Sequence, residues 1–445
     1  RGVALPEASP DTRAALLELL GQTVRDQGDY PQARAWLEQA LTLYRALGHP
    51  SGEASVMDLL GIIAQRQGNL AEAIEKHTGA LALYRTLGHV YKEGHVLGNL
   101  GVVYWMSGNF ALARETFEQG LKISQQLGEK RAEISHLSNL GALYGITGDI
   151  ETALARYDAA LALLGAAGDR AGYATLLGNR GYALYDLDRF DEALSAADEA
   201  LALNRELGRR RGEGFVQHTR GLTLTELGRF AEAREAFEAS LAIRQTLGER
   251  DTLSDTYCSL TRLYLVQGAL TLAEETFELA RQSHTQDNPE YHRNFHYTGY
   301  LLYHQRNAAA ALEHLLQAAD AMHAMAQELP AADQPRFLNA LATNRHIQRA
   351  LAAHSHRVET RLVRAEVPLG KKLTDEDYLS ITWTISAPGD DRLTPASAHR
   401  QHILRRLLAE AAAQGAAPTD DDLAEVLGVS RRTILRDIEV LREAG

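Results

Sequence analysis

The alternation of apolar and polar residues predicts helices through most of this chain. Between residues 96 and 127, apolar side chains recur every three or four positions, which is the period of a helix that buries one face. The pattern is interrupted at Gly108-Asn109 and stops at Leu127-Gly128, where glycine suits a tight turn and a helix end. This stretch is therefore expected to form two helices, called here helix A and helix B, joined by a short turn.

The same two-helix pattern recurs every 40 residues. Five series of residues keep this period: a glycine in helix A, a turn glycine, a glycine after helix B, and an alanine and a leucine within helix B. The helix A glycines are Gly21, Gly61, Gly101, Gly141, Gly181 and Gly221. The turn glycines run from Gly28 to Gly268, with Asp188 in the fifth place. Because one hairpin cannot bury its apolar face alone, the repeats are expected to stack side by side.

The repeat resembles the tetratricopeptide repeat in its 40-residue form, as in "LGNLGVVYWMSGNFALARETFEQGLKIS" and "LSNLGALYGITGDIETALARYDAALALL". The resemblance implies an all-α superhelical solenoid whose A helices line a concave groove for a partner peptide. We assign residues 1–10 to an N-terminal extension and residues 11–290 to seven repeats. Residues 291–330 are expected to form a degenerate eighth repeat, and residues 331–357 a capping helix.

An asparagine stands two residues before the helix A glycine in repeats three to five. In proteins that this repeat resembles, asparagine at this position bonds the backbone of an extended peptide. The resemblance therefore implies a peptide-binding groove lined by Asn99, Trp105, Met106, Asn139, Asn179 and Tyr182. The alternative is structural: the amides satisfy backbone groups between helices, and aromatic residues such as Tyr185 belong to the core.

The periodicity changes after the capping helix. From Leu379 to Ile385, apolar residues alternate with Ser and Thr, which predicts a β-strand. The preceding "VETRLVRAEV" supplies a partner strand, so residues 358–396 are expected to form a β-hairpin and a linker. The hairpin is too short to fold alone and is expected to pack on the end of the solenoid or on the next domain.

Residues 397–445 are expected to form three helices. Thr419 is placed to cap the second helix, Gly428 to turn the chain and Ser430 to cap the third. The segment "LAEVLGVSRRTILRDIEVLREAG" resembles the helix-turn-helix of bacterial transcription regulators, close to the winged-helix type. In that type a wing would begin at Gly445, so the wing is expected to be missing from this chain.

The resemblance implies that the third helix enters the major groove of DNA by its N-terminal end. The residues expected to face DNA are Ser430, Arg431, Arg432, Thr433 and Arg436. Those expected to hold the core are Ile434, Ile438 and Leu441. From Ala352 onward the chain carries 13 Lys and Arg against 15 Asp and Glu, so this part is not basic as a whole. Two alternatives to DNA binding remain open. In one, the three arginines simply form a solvent-exposed surface of the helix, and in the other the module docks a protein.

Composition narrows the possible classes of protein. The chain has 445 residues, a net charge of −12 and one cysteine, Cys258, which indicates a reducing, cytoplasmic setting without disulfides. Its apolar runs are broken well before the ~18 residues of a membrane span. Residues 365–372 depart from a P-loop and no other catalytic motif is found, so neither an enzyme nor a cofactor is expected. Nine of the 17 histidines fall between His284 and His356, but neither Cys nor a convincing acidic partner supports a metal site there.

Together these features predict a transcription regulator. The solenoid would sense a peptide or protein, and the helix-turn-helix would bind double-stranded DNA, as a homodimer because few arginines are available. The alternative is an adaptor whose C-terminal module docks protein. The arrangement resembles the C-terminal part of STAND-type signalling ATPases, and the absence of an initiator Met leads us to expect a longer chain upstream. Peptide-pheromone receptors with such repeats usually carry the DNA-binding module first, so their peptide pockets are not transferred here.

Overall fold

The structure, a computed structural model, describes residues 9–165, 168–285, 288–368 and 370–443. Most of the predicted N-terminal extension lies outside these ranges, as do the last two residues of the predicted helix-turn-helix. The described residues contain 21 α-helices and one two-stranded sheet, which confirms the predicted fold class. The chain divides into two compact units, residues 1–291 with 322–342 and residues 292–321 with 343–445.

Seven helical hairpins make up the repeats of the first unit, and each hairpin packs on the next. The A helices are α1 (Pro10–Asp26), α3 (Pro50–Arg66), α5 (Val90–Met106), α7 (Lys130–Ile146), α9 (Arg170–Asp186), α11 (Arg210–Glu226) and α13 (Arg250–Val266). The B helices are α2 (Tyr30–Ala46), α4 (Leu70–Thr86), α6 (Phe110–Leu127), α8 (Ile150–Gly165), α10 (Phe190–Glu206), α12 (Phe230–Leu247) and α14 (Leu270–Ser283).

Glycine in helix A lets the two helices of a hairpin approach closely. A Cβ atom on Gly101 would lie 2.5 Å from the ring of Phe117, and one on Gly141 would lie 2.7 Å from the ring of Tyr157. Both aromatic residues are buried. A larger residue at either glycine would therefore push the two helices apart. At the turn between the helices, Asp188 adopts a φ of 58°, where the other repeats have glycine.

The segment after the repeats differs from the predicted single capping helix. The predicted eighth repeat corresponds to α15 (Pro289–Tyr303) and α16 (Ala308–Gln327). In the predicted capping-helix range, 331–357, the structure has two helices, α17 (Gln334–Ala340) and α18 (Ala342–Ala353). They are separated at Leu341, whose extended backbone ends α17.

Residues 328–341, called here the α17 segment, pack on the turns of hairpins three and four. Asp333 accepts a hydrogen bond from Arg114 at 3.0 Å, and Arg336 donates to Asp149 at 2.5 Å. Phe337 is fully buried, and its Cα would lie 3.0 Å from a Cβ atom on Gly148. These partners are 187 to 219 residues apart in the sequence, so helical periodicity could not predict the contact.

The second unit contains the sheet and three C-terminal helices. Strands β1 (His356–Val363) and β2 (Tyr378–Ser386) are antiparallel, and α19 (Ala396–Ala413), α20 (Asp420–Leu427) and α21 (Arg431–Glu443) follow. One core joins Leu362 and Trp383 of the sheet to Leu404, Leu407 and Ile434 of the helices. The Trp383 indole also donates a 2.9 Å hydrogen bond to the Leu407 carbonyl. The hairpin therefore packs on the helices that follow it.

No helix within the described ranges combines the length and the apolar character needed to cross a bilayer.

Candidate functional site

Local capping interactions set the start of α20 and α21. Thr419 and Asp422 form a capping box at the start of α20, and Gly428 ends that helix with a φ of 62°. Ser430 then begins α21: its Oγ accepts a 3.3 Å hydrogen bond from the Thr433 amide. The residue types that the sequence offered as caps therefore take those positions.

One face of α21 is fixed to the rest of the second unit. Ile434 is fully buried in the shared core, and the buried Asp437 accepts hydrogen bonds from Arg400 and Gln401 of α19. Burial alone would raise the pKa of Asp437, but these hydrogen bonds outweigh it and hold the pKa below its usual value. Asp437 is thus charged at neutral pH and orients the helix.

The opposite face of α21 carries the residues predicted to face DNA. Ser430, Arg431, Arg432 and Arg436 are exposed, and Thr433 is half-buried. Arg431 lies 3.4 Å from Asp420 and 3.7 Å from Asp421, at the start of α20. Within the described part of the chain, Arg432 and Arg436 form no hydrogen bond or salt bridge, so their guanidinium groups remain available.

The β-hairpin adjoins the connection between α19 and α20, so it packs on the next domain, one of the two placements that the sequence left open. Ala365 and Ala417 donate 2.9 Å backbone hydrogen bonds to Gly415 and Val363, which adds the α19–α20 connection to the edge of β1. The chain that follows β1 therefore begins its course beside the α19–α20 connection. The strands β1 and β2, which precede α19–α21 in the sequence, belong to the same packed unit as those helices. The sequence pattern predicts β-structure of this module only as a wing after α21.

The three asparagines predicted in the groove have different surroundings. All three are half-buried. Asn99 donates hydrogen bonds of 3.1 and 3.4 Å to Asp58, which also lies 2.8 Å from His77 Nδ1. Asn139 and Asn179 form no hydrogen bond within the described residues. Asn99 is therefore engaged within the solenoid, as the structural alternative expects, although its partner is a side chain rather than the backbone.

Of the three apolar residues predicted in the groove, two lie at the end of α5 and the third lies on α9. Trp105 is half-buried against the core of hairpins three and four, and Leu341 of the α17 segment packs on the same core. Met106 is 52% exposed and its sulfur lies 3.4 Å from Gln65 Nε2. Tyr182 stands two hairpins further along, so these residues do not form one cluster.

Tyr182 belongs to an aromatic and charged cluster on the A helices of hairpins five to seven. Its ring centroid lies 6.1 Å from that of Tyr185 and 6.2 Å from that of Phe215. Burial, reinforced by Asp186, Glu290 and Asp255, raises the pKa of Tyr182 well above its usual value. The phenol therefore stays protonated and can donate a hydrogen bond.

Sequence reasoning missed the polar members of this cluster. Burial, with Arg244 nearby, lowers the pKa of His218 to about 3, so the ring is neutral. Arg262 donates a 3.0 Å hydrogen bond to Ser259. Burial also raises the pKa of Glu226, despite the attraction of Arg262. His218 stands where the preceding repeat has a glycine and Arg262 where it has a leucine, and these departures from the period could have marked both residues. Glu226, in contrast, follows an acidic residue of the preceding repeat, Asp186.

Comparisons with known proteins agree with the two parts of the fold. A family model of the tetratricopeptide repeat matches residues 11–86, 52–126 and 130–206, and a second model with the same description matches residues 217–252. A model of the HTH domain matches residues 400–445. No curated protein sequence gives a significant match.

Solved structures share the fold at low sequence identity. A Rap protein complexed with competence and sporulation factor is 15% identical with a TM-score of 0.53, covering 72% of this chain and 100% of that one. The apo form of RapI is 14% identical with a TM-score of 0.52, covering 61% and 97%. A STAND protein with a tetratricopeptide-repeat sensor from Pyrococcus horikoshii is 16% identical with a TM-score of 0.51, covering 74% and 50%.

The hairpin geometry, the capped α20–α21 turn and the matched family models lead to one assignment. The chain belongs to the tetratricopeptide-repeat proteins and carries a helix-turn-helix domain at residues 400–445.

Proposed function

We propose that this protein is a transcription regulator that binds DNA through α21 and a peptide or protein through the groove of its A helices. The observation that carries the proposal is the division of α21 into two faces. One face is held by the core and by Asp437, and the other presents Arg432 and Arg436 without an intramolecular partner in the described residues. A recognition helix requires this division, because its outer face must reach base edges and phosphates.

The spacing of the arginines suits a DNA surface. Arg432 and Arg436 are four residues apart, so they project from the same side of α21. Guanidinium groups bind guanine edges or phosphates through paired N–H donors. The Ser430 and Thr433 hydroxyls, at the helix N-terminus, can donate to phosphate. Arg431 would exchange its contacts with Asp420 and Asp421 for contacts with DNA.

DNA selection tests this role. Fragments of the source genome that the full chain retains in an electrophoretic shift are compared with unselected fragments of equal length. We expect specific retention that weakens at least about tenfold between about 50 and 200 mM salt, because phosphate contacts release counterions. Equal retention of selected and unselected fragments would contradict a regulator that reads a sequence.

The peptide role is supported by the two unengaged amides. Asn139 and Asn179 are half-buried at equivalent positions of two neighbouring A helices, α7 and α9, and they form no hydrogen bond within the described residues. Each amide offers a donor and an acceptor, which is the set that an extended peptide backbone requires. The similar Rap structure was solved in complex with competence and sporulation factor, so this fold accommodates a bound factor.

Paired substitutions test the groove. Peptides that co-purify with the full chain are identified by mass spectrometry, resynthesised and titrated. The Asn139→Ala/Asn179→Ala variant is expected to bind at least about tenfold more weakly, at about 1 kcal/mol for each lost hydrogen bond. Asn99→Ala serves as the contrast, because its amide is already bonded to Asp58. Unchanged affinity in the double variant, or an equal loss in Asn99→Ala, would contradict this groove.

An adaptor is the second candidate, and the charge around α21 favours it. The first turn of α20 carries three carboxylates close to Arg431, those of Asp420, Asp421 and Asp422. Their negative charges would repel the phosphates of DNA. In that case α21 would dock a protein. Partner recovery from cells that is unaffected by nuclease, with no fragment retained in the shift, would favour the adaptor over the regulator.

A further inference from the structure

The two-stranded sheet has two outer edges, and side chains of α19 cover the edge of β2. Gln414 accepts a 2.8 Å hydrogen bond from the Thr382 amide and donates a 2.9 Å hydrogen bond to the Thr382 carbonyl. The Thr384 amide donates to Glu410 at 2.8 Å, and the Thr384 carbonyl accepts from Arg406 at 2.9 Å. The backbone groups of both threonines therefore point away from β1.

The outer edge of β1 has unpaired backbone groups at three residues. In the antiparallel register, Glu359 lies opposite Thr382 and Arg357 lies opposite Thr384. Directly opposed residues of such a ladder either exchange hydrogen bonds or both point their backbone groups away from each other. Arg357, Glu359 and Arg361 alternate along β1, so their N–H and C=O groups point away from β2. None of these backbone groups forms a hydrogen bond within the described part of the chain.

Beyond these three residues, the chain itself closes the same edge. The Val363 carbonyl accepts a hydrogen bond from Ala417, and Ala365 donates one to Gly415, each at 2.9 Å. The open stretch, residues 357–361, is called here the β1 edge. An open edge pairs readily with another strand, because each of its unpaired groups finds a partner there.

The side chains of the β1 edge indicate which strand fits it. Arg357, Glu359 and Arg361 are exposed on the same face of the strand. Arg361 is engaged within its own chain: it donates a 3.0 Å hydrogen bond to the Asp375 carbonyl and lies 5.4 Å from the centre of the Tyr378 ring. Arg357 and Glu359 form no salt bridge within the described residues. The β1 edge therefore offers one positive and one negative charge, two residues apart.

We propose that the β1 edge pairs antiparallel with the β1 edge of a second copy of this chain, which extends the sheet to four strands. The register is centred on Val358. Arg357 of each copy then lies opposite Glu359 of the other, so two ion pairs form across the new boundary. The same two residues exchange their unpaired backbone N–H···O=C bonds. The two strands are thus complementary in both charge and hydrogen bonding.

Neighbouring registers fit less well. Centred on Glu359, the strands would oppose two carboxylates and also Arg357 with Arg361, and like charges in these places are destabilising. Centred on Thr360, they would oppose Arg357 with Val363, whose carbonyl is already bonded within the chain. The register centred on Val358 avoids both conflicts. This interface does not require that α21 bind DNA.

Sedimentation equilibrium of the full chain, without DNA, tests the interface. We expect a monomer–dimer equilibrium that favours the monomer on dilution below micromolar concentration, because the shared edge is short. Arg357→Glu and Glu359→Arg each place like charges opposite one another, and each is expected to raise the dissociation constant at least about tenfold.

Exchange of the two charges gives the decisive comparison. The double variant Arg357→Glu/Glu359→Arg should regain the dimer of the natural chain, and so should an equal mixture of the two single variants. Such recovery also shows that the single variants are folded. Arg405→Glu, which reverses an exposed charge on α19, is the matched control and should dimerise as the natural chain does.

Cysteine cross-linking determines the register. The central residue meets itself in the other copy, so Val358→Cys is expected to give a disulfide-linked dimer under mild oxidation, because opposed residues of a non-hydrogen-bonded pair lie about 4.5 Å apart. Glu359→Cys should cross-link much less. The natural chain, whose Cys258 is buried, measures the background.

Four results would overturn the proposal. These are a chain that stays monomeric at about 0.5 mM, a dimer that neither charge reversal weakens, reversals that the double variant and the mixture fail to rescue, and stronger cross-linking of Glu359→Cys than of Val358→Cys. A dimer that retains no DNA would contradict the proposed function alone, and a monomer that binds DNA would contradict this interface alone.

Discussion

At the scale of single residues, polar groups that interrupt the repeat explain much of what is particular to this chain. His136 is an example: it is 3% exposed at a place where other repeats have Val96, Leu176 and Val216. A Cβ atom on Gly120 would lie 2.3 Å from its ring, so the glycine makes room for the imidazole. Burial lowers the pKa of His136 to about 4, although the hydrogen bond that the ring donates to the Gly94 carbonyl opposes the shift.

The low pKa of His136 predicts a loss of stability in mild acid. The unfolded histidine, with a pKa of about 6.5, takes up a proton at a higher pH than the folded one. Stability is therefore retained above about pH 6.5 and falls as the pH decreases toward 4, by roughly 1 kcal/mol per pH unit. His136→Val should remove this component. Denaturant unfolding of the natural chain and of His136→Val between pH 7 and 4.5 measures this component. If the free energy of unfolding fell equally with pH in both proteins, His136 would not be its source.

At the scale of elements, the α17 segment links parts of the chain that are far apart in sequence. Its Asp333 and Arg336 pair with Arg114 and Asp149, and Phe337 is fully buried beside the turn at Gly148. Exposed ion pairs contribute little, at about 0–1 kcal/mol each, so the buried aromatic ring dominates. Hairpins three and four are therefore stabilised by residues outside the repeats.

Phe337→Ala should weaken hairpins three and four more than the other repeats. Loss of a buried phenylalanine costs about 3–5 kcal/mol, and the cost should appear where the ring packs. Hydrogen exchange measured by mass spectrometry is expected to accelerate around residues 143–150. The control is Leu279→Ala on α14, whose side chain is 44% exposed and whose loss should cost less than about 0.5 kcal/mol. Faster exchange confined to residues 334–353 would show that the α17 segment stabilises only itself.

At the scale of the whole molecule, the sequence predicted what is local and missed what is distant. The hairpins, their turns and the α20–α21 unit follow from periodicity and from caps such as Thr419 and Ser430, which act within a few residues. The contacts of the α17 segment and the core shared by Trp383 and Ile434 join residues that no periodic pattern relates. The Asn99–Asp58 bond likewise joins side chains of neighbouring repeats.

Charge at this scale also decides how DNA would be bound. The chain carries −12 overall, and the part from Ala352 onward has 13 basic against 15 acidic residues. A uniformly basic surface therefore cannot supply the affinity. The affinity for DNA would depend instead on a few arginines of α21, and a homodimer would double their number.

The most direct test of the central claim is the DNA affinity of arginine variants of α21. Fluorescence anisotropy on a selected fragment compares the natural chain with Arg432→Ala/Arg436→Ala and with Arg442→Ala, which removes an exposed arginine from the last turn of the same helix. We predict that the double variant binds at least about 30-fold more weakly, at about 1–3 kcal/mol per arginine, and that Arg442→Ala binds nearly as the natural chain does. Equal affinity of the double variant and the natural chain would contradict DNA binding through α21.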